Sequence, residues 1–458
     1  MNLLLYIVSI KGNKLFNWVL GAVATMRVNL LNVMLILVTL CGSQCLADEK
    51  QPTEQDALAF YNTVMGADPI LPANLDAKTI GCALNDKPIS SDYLNSRQAR
   101  YEQHGWEGRV SADWSFFQGD DSEGRITVID FRHQDKGVSY RYLSNGTQHK
   151  VYEPWSSSKV LAFTGAISQA RKAGVSDVGY VGEFALADLI TSVNSYEAFG
   201  KADGNSNAIA SYFVNLAGRD YLTALFHDEW LKLSNEKIFF RGAYGTDVFD
   251  PLSSEWRDEE SEEVAVFSGF TRNSEDPGYR SYRCDDCGLT GNKPMTTLAQ
   301  AEWLKRLAAH ERDPLTQHPE LKVEDIQLLF YGVGHTQEGA EAGGMLAGIS
   351  HALSLAIARH ISSDADLTSK DAKRVLDTAT NGEWRIFQKI GWGPSETRNT
   401  GENVMLAHVC LPEYQGGREF TVAAQASHPE AKESSVGYSG MKMQRLLDTS
   451  IAKLLATQ

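Results

Sequence analysis

Acidic residues are missing from the beginning of the chain. Residues 1–47 contain no aspartate or glutamate, although acidic residues outnumber basic ones by 58 to 43 in the 458-residue sequence. Three basic residues and an apolar run, residues 30–40, precede Ala47, and the charged pair Asp48 and Glu49 follows it. A basic start, an apolar middle and a small residue before a polar switch are typical of a secretory signal. We therefore predict a signal segment over residues 1–47, a periplasmic or secreted protein, and no stable membrane span after cleavage.

Two other interpretations of this segment are an uncleaved membrane anchor and lipidation at Cys41 or Cys45. A lipidation site has a leucine three residues before the cysteine and small residues between them. Neither residues 38–40 nor residues 42–44 fit that pattern well. Cleavage after Ala47 is therefore favoured.

Positive charge is scarce in the rest of the chain. The formal net charge is −15, and removal of the signal segment makes the protein more acidic, because that segment carries only basic charges. Contacts with nucleic-acid phosphates are mainly electrostatic, so an acidic exported protein is a poor nucleic-acid binder. It has no electrostatic attraction to an anionic membrane surface either. We therefore predict no nucleic-acid partner.

Cysteine is also scarce. After the signal segment only Cys82, Cys284, Cys287 and Cys410 remain, which could form two disulfides with three possible connectivities. Cys284 and Cys287 have the spacing of half a metal site, but no second Cys-x-x-Cys and no His-Glu-x-x-His motif completes it. A local disulfide or two free thiols is favoured for this pair. The sequence therefore predicts no metal and no cofactor.

The sequence shows no internal repeat and no low-complexity tract, and it is long enough to bury a full core. Alternating and β-prone runs predict strands over residues 109–117, 125–131, 137–143, 384–390, 403–411 and 419–425. Helical periodicity predicts helices over residues 160–173, 182–195, 207–217, 219–233, 295–309, 338–361 and 441–456. This order predicts an α+β fold, an α/β sandwich in which N- and C-terminal strands share one antiparallel sheet beside a large helical lobe.

Two stretches lack clear periodicity. Residues 48–105 are loop-rich and are predicted to form an N-terminal extension. Residues 242–292 are predicted to be an inserted loop, because a structureless stretch of this length is uncommon and usually functional. Residues 106–458, with this loop inside them, are predicted to form the main domain.

The most informative motif lies where a turn leads into the predicted helix over residues 160–173. Ser156 and Lys159 are three residues apart, so their side chains fall on one helix face. A desolvated lysine can stay partly neutral and accept the proton of a nearby serine. The helix N-terminus offers N–H groups to the oxyanion that then forms. Alone, the motif equally describes a serine-rich helix cap with a solvated lysine, so its weight depends on the rest of the chain.

Two further markers follow in order. Asn205-Ser206-Asn207 precedes a helix, and Lys389-Ile390-Gly391 stands at the end of a predicted strand. With Ser156 and Lys159, they resemble the Ser-x-x-Lys, Ser-x-Asn and Lys-Thr-Gly motifs of the penicillin-recognising serine enzymes, the class A β-lactamases and D-alanyl-D-alanine peptidases. The resemblance covers residues 106–458 and implies a β-lactamase/transpeptidase-like fold.

The resemblance implies a role for each matched residue. Ser156 is the expected nucleophile and Lys159 its general base. Lys389 is expected to bind a substrate carboxylate and to keep the pKa of Lys159 low. Asn207 is expected to orient the substrate amide, and Ser206 to return the proton to the leaving group.

Further substrate-binding residues are expected around the third marker. Gly391 and Trp392 follow its lysine, and the N–H of Trp392 is expected to bind the oxyanion together with the N–H of the nucleophile. Ile390 replaces the hydroxyl residue of Lys-Thr-Gly. Arg398 or Ser395 is the expected substitute donor to the substrate carboxylate.

Two features depart from the family pattern. Ser192-Val193-Asn194 is a literal Ser-x-Asn upstream of the second marker, so Ser192 is the alternative to Ser206. In addition, no glutamate matches the deacylation base of class A enzymes. Glu255 and Glu275 lie in the corresponding interval, but their surroundings do not resemble the family pattern.

The expected function is that of an exported serine hydrolase that forms an acyl-enzyme with a β-lactam, peptide or ester. Its expected partner is a small molecule or a cell-wall peptide. A D-alanyl-D-alanine peptidase or esterase is one alternative, because an acyl-enzyme without a deacylation base persists. A binding protein of the same fold that has lost turnover is another. An α/β-hydrolase is disfavoured, since no Gly-x-Ser-x-Gly elbow follows a strand.

Overall fold

The computed structural model describes residues 51–65, 69–117, 123–134, 137–175, 179–253, 255–257, 264–266, 270–336 and 342–457. The predicted signal segment lies outside these residues. Residues 54–458 are assigned to one compact unit. In the part of the chain that is described, no helix is both long and apolar enough to cross a bilayer.

The strands are β1 (Ala112–Asp113), β2 (Arg125–Gln134), β3 (Gly137–Ser144), β4 (Tyr180–Val181), β5 (Phe184–Ala185), β6 (Glu255–Arg257), β7 (Val264–Val266), β8 (Arg385–Ser395), β9 (Thr400–Leu411) and β10 (Arg418–Pro429). Six of them form the main sheet in the order β1-β3-β2-β10-β9-β8. All neighbours in it are antiparallel except β1 and β3. The N- and C-terminal strands therefore share one sheet, and the predicted α+β fold is confirmed.

The helices are α1 (Glu54–Met65), α2 (Ser96–Ala99), α3 (Lys159–Lys172), α4 (Leu186–Ser195), α5 (Ser206–Ala217), α6 (Arg219–Ala224), α7 (Thr297–Ala308), α8 (Val323–Tyr331), α9 (His351–Ser362), α10 (Ser369–Thr380) and α11 (Glu433–Ala456). Helices α9 and α11 share a core with one side of the sheet, which includes Leu353, Val422 and Leu447. A larger core contains α3 and most of the other helices. Each fully buried aliphatic side chain of this kind contributes about 1.5–3 kcal/mol.

The predicted strand over residues 109–117 is wrong except for β1. The carboxylate of Asp113 accepts hydrogen bonds from both the backbone N–H and the hydroxyl of Ser115, at 3.1 and 3.0 Å. Such a side-chain bond closes a turn and competes with strand pairing. The aromatic alternation therefore reflects packing around a turn rather than a strand.

The predicted helix over residues 338–361 is also wrong over residues 342–350. A short 3₁₀ turn, Gly344–Ala347, precedes α9, and residues 337–341 lie outside the described residues. At Gly348 a Cβ atom would lie 1.9 Å from the carbonyl oxygen of Gln388. The backbone therefore lies directly against β8 at this point, where a continuous helix with side chains would not fit.

Several other boundaries differ from the prediction. Helix α4 begins only at Leu186, after the small β4–β5 hairpin, and α6 passes into a π-helical turn, Leu225–Glu229. Helices α8 and α10 had no counterpart in the predicted pattern, and α11 begins at Glu433 rather than at residue 441.

The N-terminal residues pack into the same compact unit. Gly437 of α11 lies so close to α1 that a Cβ atom would be 2.0 Å from the carbonyl oxygen of Ala57. Cys82 forms a disulfide with Cys410 of β9. Residues 54–105 thus belong to the unit that contains the main sheet. The domain boundary at residue 106 stays a prediction.

Candidate active site

The nucleophile candidate lies in a 3₁₀ turn, Trp155–Ser158, that leads directly into α3. Trp155 has a φ of 48°, an uncommon conformation for a residue with a side chain. Its indole N–H donates to a carboxylate oxygen of Glu402 at 2.6 Å, which holds the turn against β9. Ser156 follows, partly exposed, and lines a cleft of about 800 Å³.

Lys159 is the first residue of α3 and is completely buried. Its ammonium donates to the hydroxyl of Ser206 at 2.9 Å and to the side-chain oxygen of Asn207 at 2.7 Å. Both acceptors are uncharged. Burial, together with the positive charge of Lys293, lowers the pKa of Lys159 from 10.5 to about 7. Near neutral pH this amine is therefore partly deprotonated and able to accept a proton.

Lys389, on β8, is buried in the same region. Its ammonium donates to the carbonyl oxygens of Val193 and Asn194, at 2.5 and 3.4 Å. Burial and the charge of Lys159 hold the pKa of Lys389 well below its usual value. Among the described residues, no carboxylate forms an ion pair with either lysine. The site therefore contains two buried amines with only neutral hydrogen-bond acceptors.

Tyr196, which the sequence patterns did not indicate, joins the nucleophile to β8. Its hydroxyl donates to the carbonyl oxygen of Ile390 at 2.6 Å and is hydrogen-bonded to Ser156. Burial raises the pKa of Tyr196, so the phenol stays neutral. The hydrogen bond to Ser156 opposes part of that rise. Its ring packs against Trp392, with centroids 5.1 Å apart. Tyr196 ends α4 with a φ of 65°, where a glycine or asparagine is the usual residue.

Strand β8 passes immediately beside the nucleophile. A Cβ atom on Gly391 would lie 2.4 Å from the backbone nitrogen of Ser156, so only glycine fits there. Ile390 directs its carbonyl oxygen to Tyr196, away from β9, at the edge of the sheet. Because backbone groups alternate along a strand, the N–H of Trp392 points to the same side. Trp392 also lines the cleft.

Arg398 uses its donors within the protein. Two of its nitrogens donate to Glu402 at 2.7 and 2.8 Å, and a third donates to the hydroxyl of Tyr282 at 2.6 Å and the carbonyl oxygen of Leu289 at 2.8 Å. Its expected contact with a substrate carboxylate stays a prediction. Ser395, the other expected donor, lines the cleft but is almost completely buried.

Lys159, Ser206, Lys389 and Arg398 lie behind the cleft lining, and so do the remaining candidates. The hydroxyl of Ser192 donates to the carbonyl oxygen of Glu197 at 2.8 Å and accepts from the N–H of Gly204 at 3.1 Å. Lys159 bonds to Ser206 instead. Neither Glu255 nor Glu275 lines the cleft. Glu275 accepts hydrogen bonds from its own loop.

The loop predicted over residues 242–292 forms one wall of the cleft. Its cleft-lining residues are Ala243, Tyr244, Gly245, Thr246, Arg272, Asn273, Ser274, Tyr279, Tyr282, Arg283 and Asn292. A buried ion pair between Arg219 and Asp276, at 2.7 Å, anchors this wall to α6. The described residues contain no cluster of side chains suited to hold a metal ion.

Comparison with known proteins gives matches only among solved structures. Neither a known family profile nor a curated protein matches the chain. One similar structure is a class A β-lactamase described as the last common ancestor of Gram-negative bacteria. It is 13% identical, the match covers 74% of this chain and 97% of that one, and the TM-score is 0.38.

Two further similar structures are PBP-A and a β-lactamase from Streptosporangium roseum. PBP-A is 10% identical over 80% of this chain and 97% of its own, with a TM-score of 0.35. The Streptosporangium roseum enzyme is 11% identical over 72% and 95%, with a TM-score of 0.33. The chain is thus similar to two β-lactamases and to PBP-A.

Proposed function

We propose that the chain is an exported serine hydrolase that acts by acyl transfer through Ser156. The observation that carries the proposal is the state of Lys159, a completely buried amine one helical turn from Ser156 and without a carboxylate partner among the described residues. An amine with a pKa of about 7 is matched to general-base chemistry at neutral pH. The signal segment over residues 1–47 is removed on export.

Acylation begins when Lys159 accepts the hydroxyl proton of Ser156 and the serine oxygen attacks the substrate carbonyl carbon. The resulting oxyanion accepts hydrogen bonds from the N–H groups of Ser156 and Trp392. As the carbonyl re-forms, the bond to the leaving group breaks. Lys159 returns the proton to the leaving group through Ser206, whose hydroxyl accepts from its ammonium.

Three residues hold the substrate. Lys389 binds its carboxylate, because a bound anion favours the charged form of a buried amine whose pKa is otherwise held low. Asn207 lines the cleft next to Ser156 and orients the substrate amide. Gly391 lets the substrate approach β8 beside the nucleophile. The substrate is a β-lactam, a cell-wall peptide or an ester.

Trapping of the acyl-enzyme tests the proposal. Incubation of the mature protein with a fluorescent penicillin and with a fluorophosphonate should add one label to Ser156, located by mass spectrometry. Ser156→Ala should lose the label, whereas Ser274→Ala, at an exposed serine on the same cleft, should keep it. Equal labelling of Ser156→Ala and the wild type would reject the assignment.

One observation favours slow turnover. Neither Glu255 nor Glu275 lines the cleft, so neither is placed to activate a deacylating water. A D-alanyl-D-alanine peptidase or esterase, or a binding protein that has lost turnover, is therefore the second candidate. Rapid hydrolysis of nitrocefin favours the β-lactamase, and hydrolysis of a p-nitrophenyl ester alone favours the esterase. Labelling of Ser156 with neither hydrolysis favours the binding protein.

A further inference from the structure

A buried ion pair lies in the wall of the cleft. The ammonium of Lys293 is 3.2 Å from a carboxylate oxygen of Glu153, and both side chains are at most 6% exposed. Lys293 also donates to the carbonyl oxygen of Ala243 at 3.1 Å. Glu153 precedes Ser156 by three residues, and both members of the pair line the cleft with it. None of the three sequence markers includes this pair.

Tyr244 brings the pair close to the catalytic lysine. The ammonium groups of Lys159 and Lys293 each lie 5.3 Å from the centre of the Tyr244 ring. The hydroxyl of Tyr244 is 3.0 Å from that of Ser158, which fixes the ring against the start of α3. Two amines therefore share one aromatic ring, and both side chains are at most 6% exposed, so that charge interactions between them are stronger than in water.

We infer that Glu153 and Lys293 are positioning residues for Lys159: the carboxylate of Glu153 holds the ammonium of Lys293 in the cleft wall beside the Tyr244 ring, where it opposes a second positive charge on Lys159. The inference rests on the proposed function, in which Lys159 is the base. A buried ammonium is costly without a counter-ion, and the carboxylate of Glu153 supplies one. Lys159 has no counter-ion, so the repulsion between the two amines disfavours the charged form of Lys159.

The other charged and titratable groups around these residues are few. Lys389, Tyr196 and Tyr244 face Lys159. Arg398, Glu402 and Tyr282 face Glu153. Burial raises the pKa of Glu153, while Lys293 and Arg398 oppose that rise. For Lys159 the largest cause of the lowered pKa is burial, and the second is Lys293. The charge of Lys293 can therefore be changed without altering a hydrogen bond of Lys159.

The test is the pH dependence of Ser156 labelling by a fluorescent penicillin. In the wild type the rate should rise with pH around 7, as Lys159 loses its proton. In Lys293→Met the pH at which the labelling rate increases should be higher by about one unit, because the repelling charge is gone. Labelling should then be about tenfold slower at pH 6 and similar to wild type at pH 9. Lys293→Arg keeps the charge and should keep the wild-type profile.

A double-mutant comparison tests the role of Glu153. Glu153→Gln should also shift the profile to higher pH, since the ammonium of Lys293 is then no longer held beside the Tyr244 ring by its counter-ion. In the Lys293→Met background the same change should not shift it further, because the charge that Glu153 holds in place is already absent. Glu396→Gln, at an exposed carboxylate of the same cleft, is the matched control and should leave the profile unchanged.

The outcomes separate this inference from the proposed function. If the wild type is not labelled at Ser156, the proposed function fails. If it is labelled but Lys293→Met keeps the wild-type profile, or Glu153→Gln moves the profile up equally in both backgrounds, the role of the pair is rejected and the function stands. Thermal unfolding checks that each variant folds. If Lys293→Met does not fold, the comparison of Glu153→Gln with Glu396→Gln decides.

Discussion

The ammonium of Lys389 lies 3.5 Å from the centre of the Tyr196 ring. The amine is therefore held by an aromatic face and two carbonyl oxygens rather than by a carboxylate. In its charged form a desolvated lysine gains about 2 kcal/mol from such a contact. Because Tyr196 is also bonded to Ser156, the phenol connects the amine expected to bind substrate with the nucleophile.

Tyr196→Phe should separate these two functions of the side chain. The ring stays beneath Lys389, whereas the hydrogen bonds to Ser156 and Ile390 are lost. We expect acylation of Ser156 to slow by roughly tenfold and stability to fall by about 1 kcal/mol. Tyr196→Leu removes the ring as well and should cost about 2–4 kcal/mol of stability. Labelling rates and urea unfolding measure both effects. Equal acylation rates for Tyr196→Phe and wild type would exclude a role for the hydroxyl.

Gly391→Ala should strongly impair acylation. The new methyl group would lie 2.4 Å from the nitrogen of Ser156 and 2.8 Å from the Cβ of Trp155, so strand or turn has to move. Misplacement of a reacting group by about 1 Å reduces a rate about 100-fold. Gly108→Ala is the matched control, because a Cβ atom there would have no other atom within 4 Å. A labelling rate that stays at the wild-type level in both variants would contradict the close approach of β8.

The stability of the protein should depend on pH through Lys159. Its pKa is about 7 in the folded state and near 10.5 when exposed, so between these values the unfolded chain binds the additional proton. Stability therefore rises with pH from about 7 to 10.5, by up to about 1.4 kcal/mol per unit from this group. Below pH 7 the protein bears the full free-energy cost of burying the charged amine of Lys159.

Lys159→Met should remove this part of the pH dependence. Urea unfolding of wild type and variant between pH 7 and 10 measures the two slopes. Lys201→Met, at an exposed lysine, is the control and should keep the wild-type slope. If Lys159→Met keeps it too, the amine is charged to a similar extent in both states, and its role as a neutral base is refuted.

The disulfide between Cys82 and Cys410 should stabilise the fold substantially. It joins residues 328 positions apart and restricts the unfolded chain accordingly. Replacing both cysteines with alanine should lower the free energy of unfolding by about 2–5 kcal/mol. The same replacement of Cys284 and Cys287, which close a loop over three positions, should cost less. Denaturant unfolding of both double variants gives the comparison, and the opposite order would show that chain entropy is not the main effect.

Local sequence patterns indicate the nucleophile region but not what surrounds it. Ser156 and Lys159 are recognisable because their spacing is one helical turn, and Lys389 because it stands on a strand with a clear pattern. Tyr196 lies at the C-terminal end of α4 in a left-handed backbone conformation, and helical periodicity does not predict this position. Its contact with Ile390 spans 194 residues, so only the tertiary fold reveals it.

The cleft wall was likewise beyond prediction. Glu153 and Lys293 are ordinary charged residues in sequence, and the ion pair forms only because the loop over residues 242–292 returns to the start of α7. At the turn after β1, by contrast, a clear sequence pattern predicts an element that does not form. There an alternating aromatic pattern predicts a strand, but the Asp113 side chain closes a turn instead.

The arrangement of the disulfides has a consequence for biosynthesis. During synthesis from the N-terminus, the cysteines after residue 47 emerge in the order Cys82, Cys284, Cys287 and Cys410. Pairing in order of emergence would join Cys82 to Cys284. In the folded protein the Cys284–Cys287 disulfide instead lies within the loop closed by Cys82 and Cys410. Cys82 therefore has to wait as a thiol, or exchange partners, until β9 has emerged. If the chain is exported as proposed, efficient maturation requires a compartment that reshuffles disulfides as well as forming them.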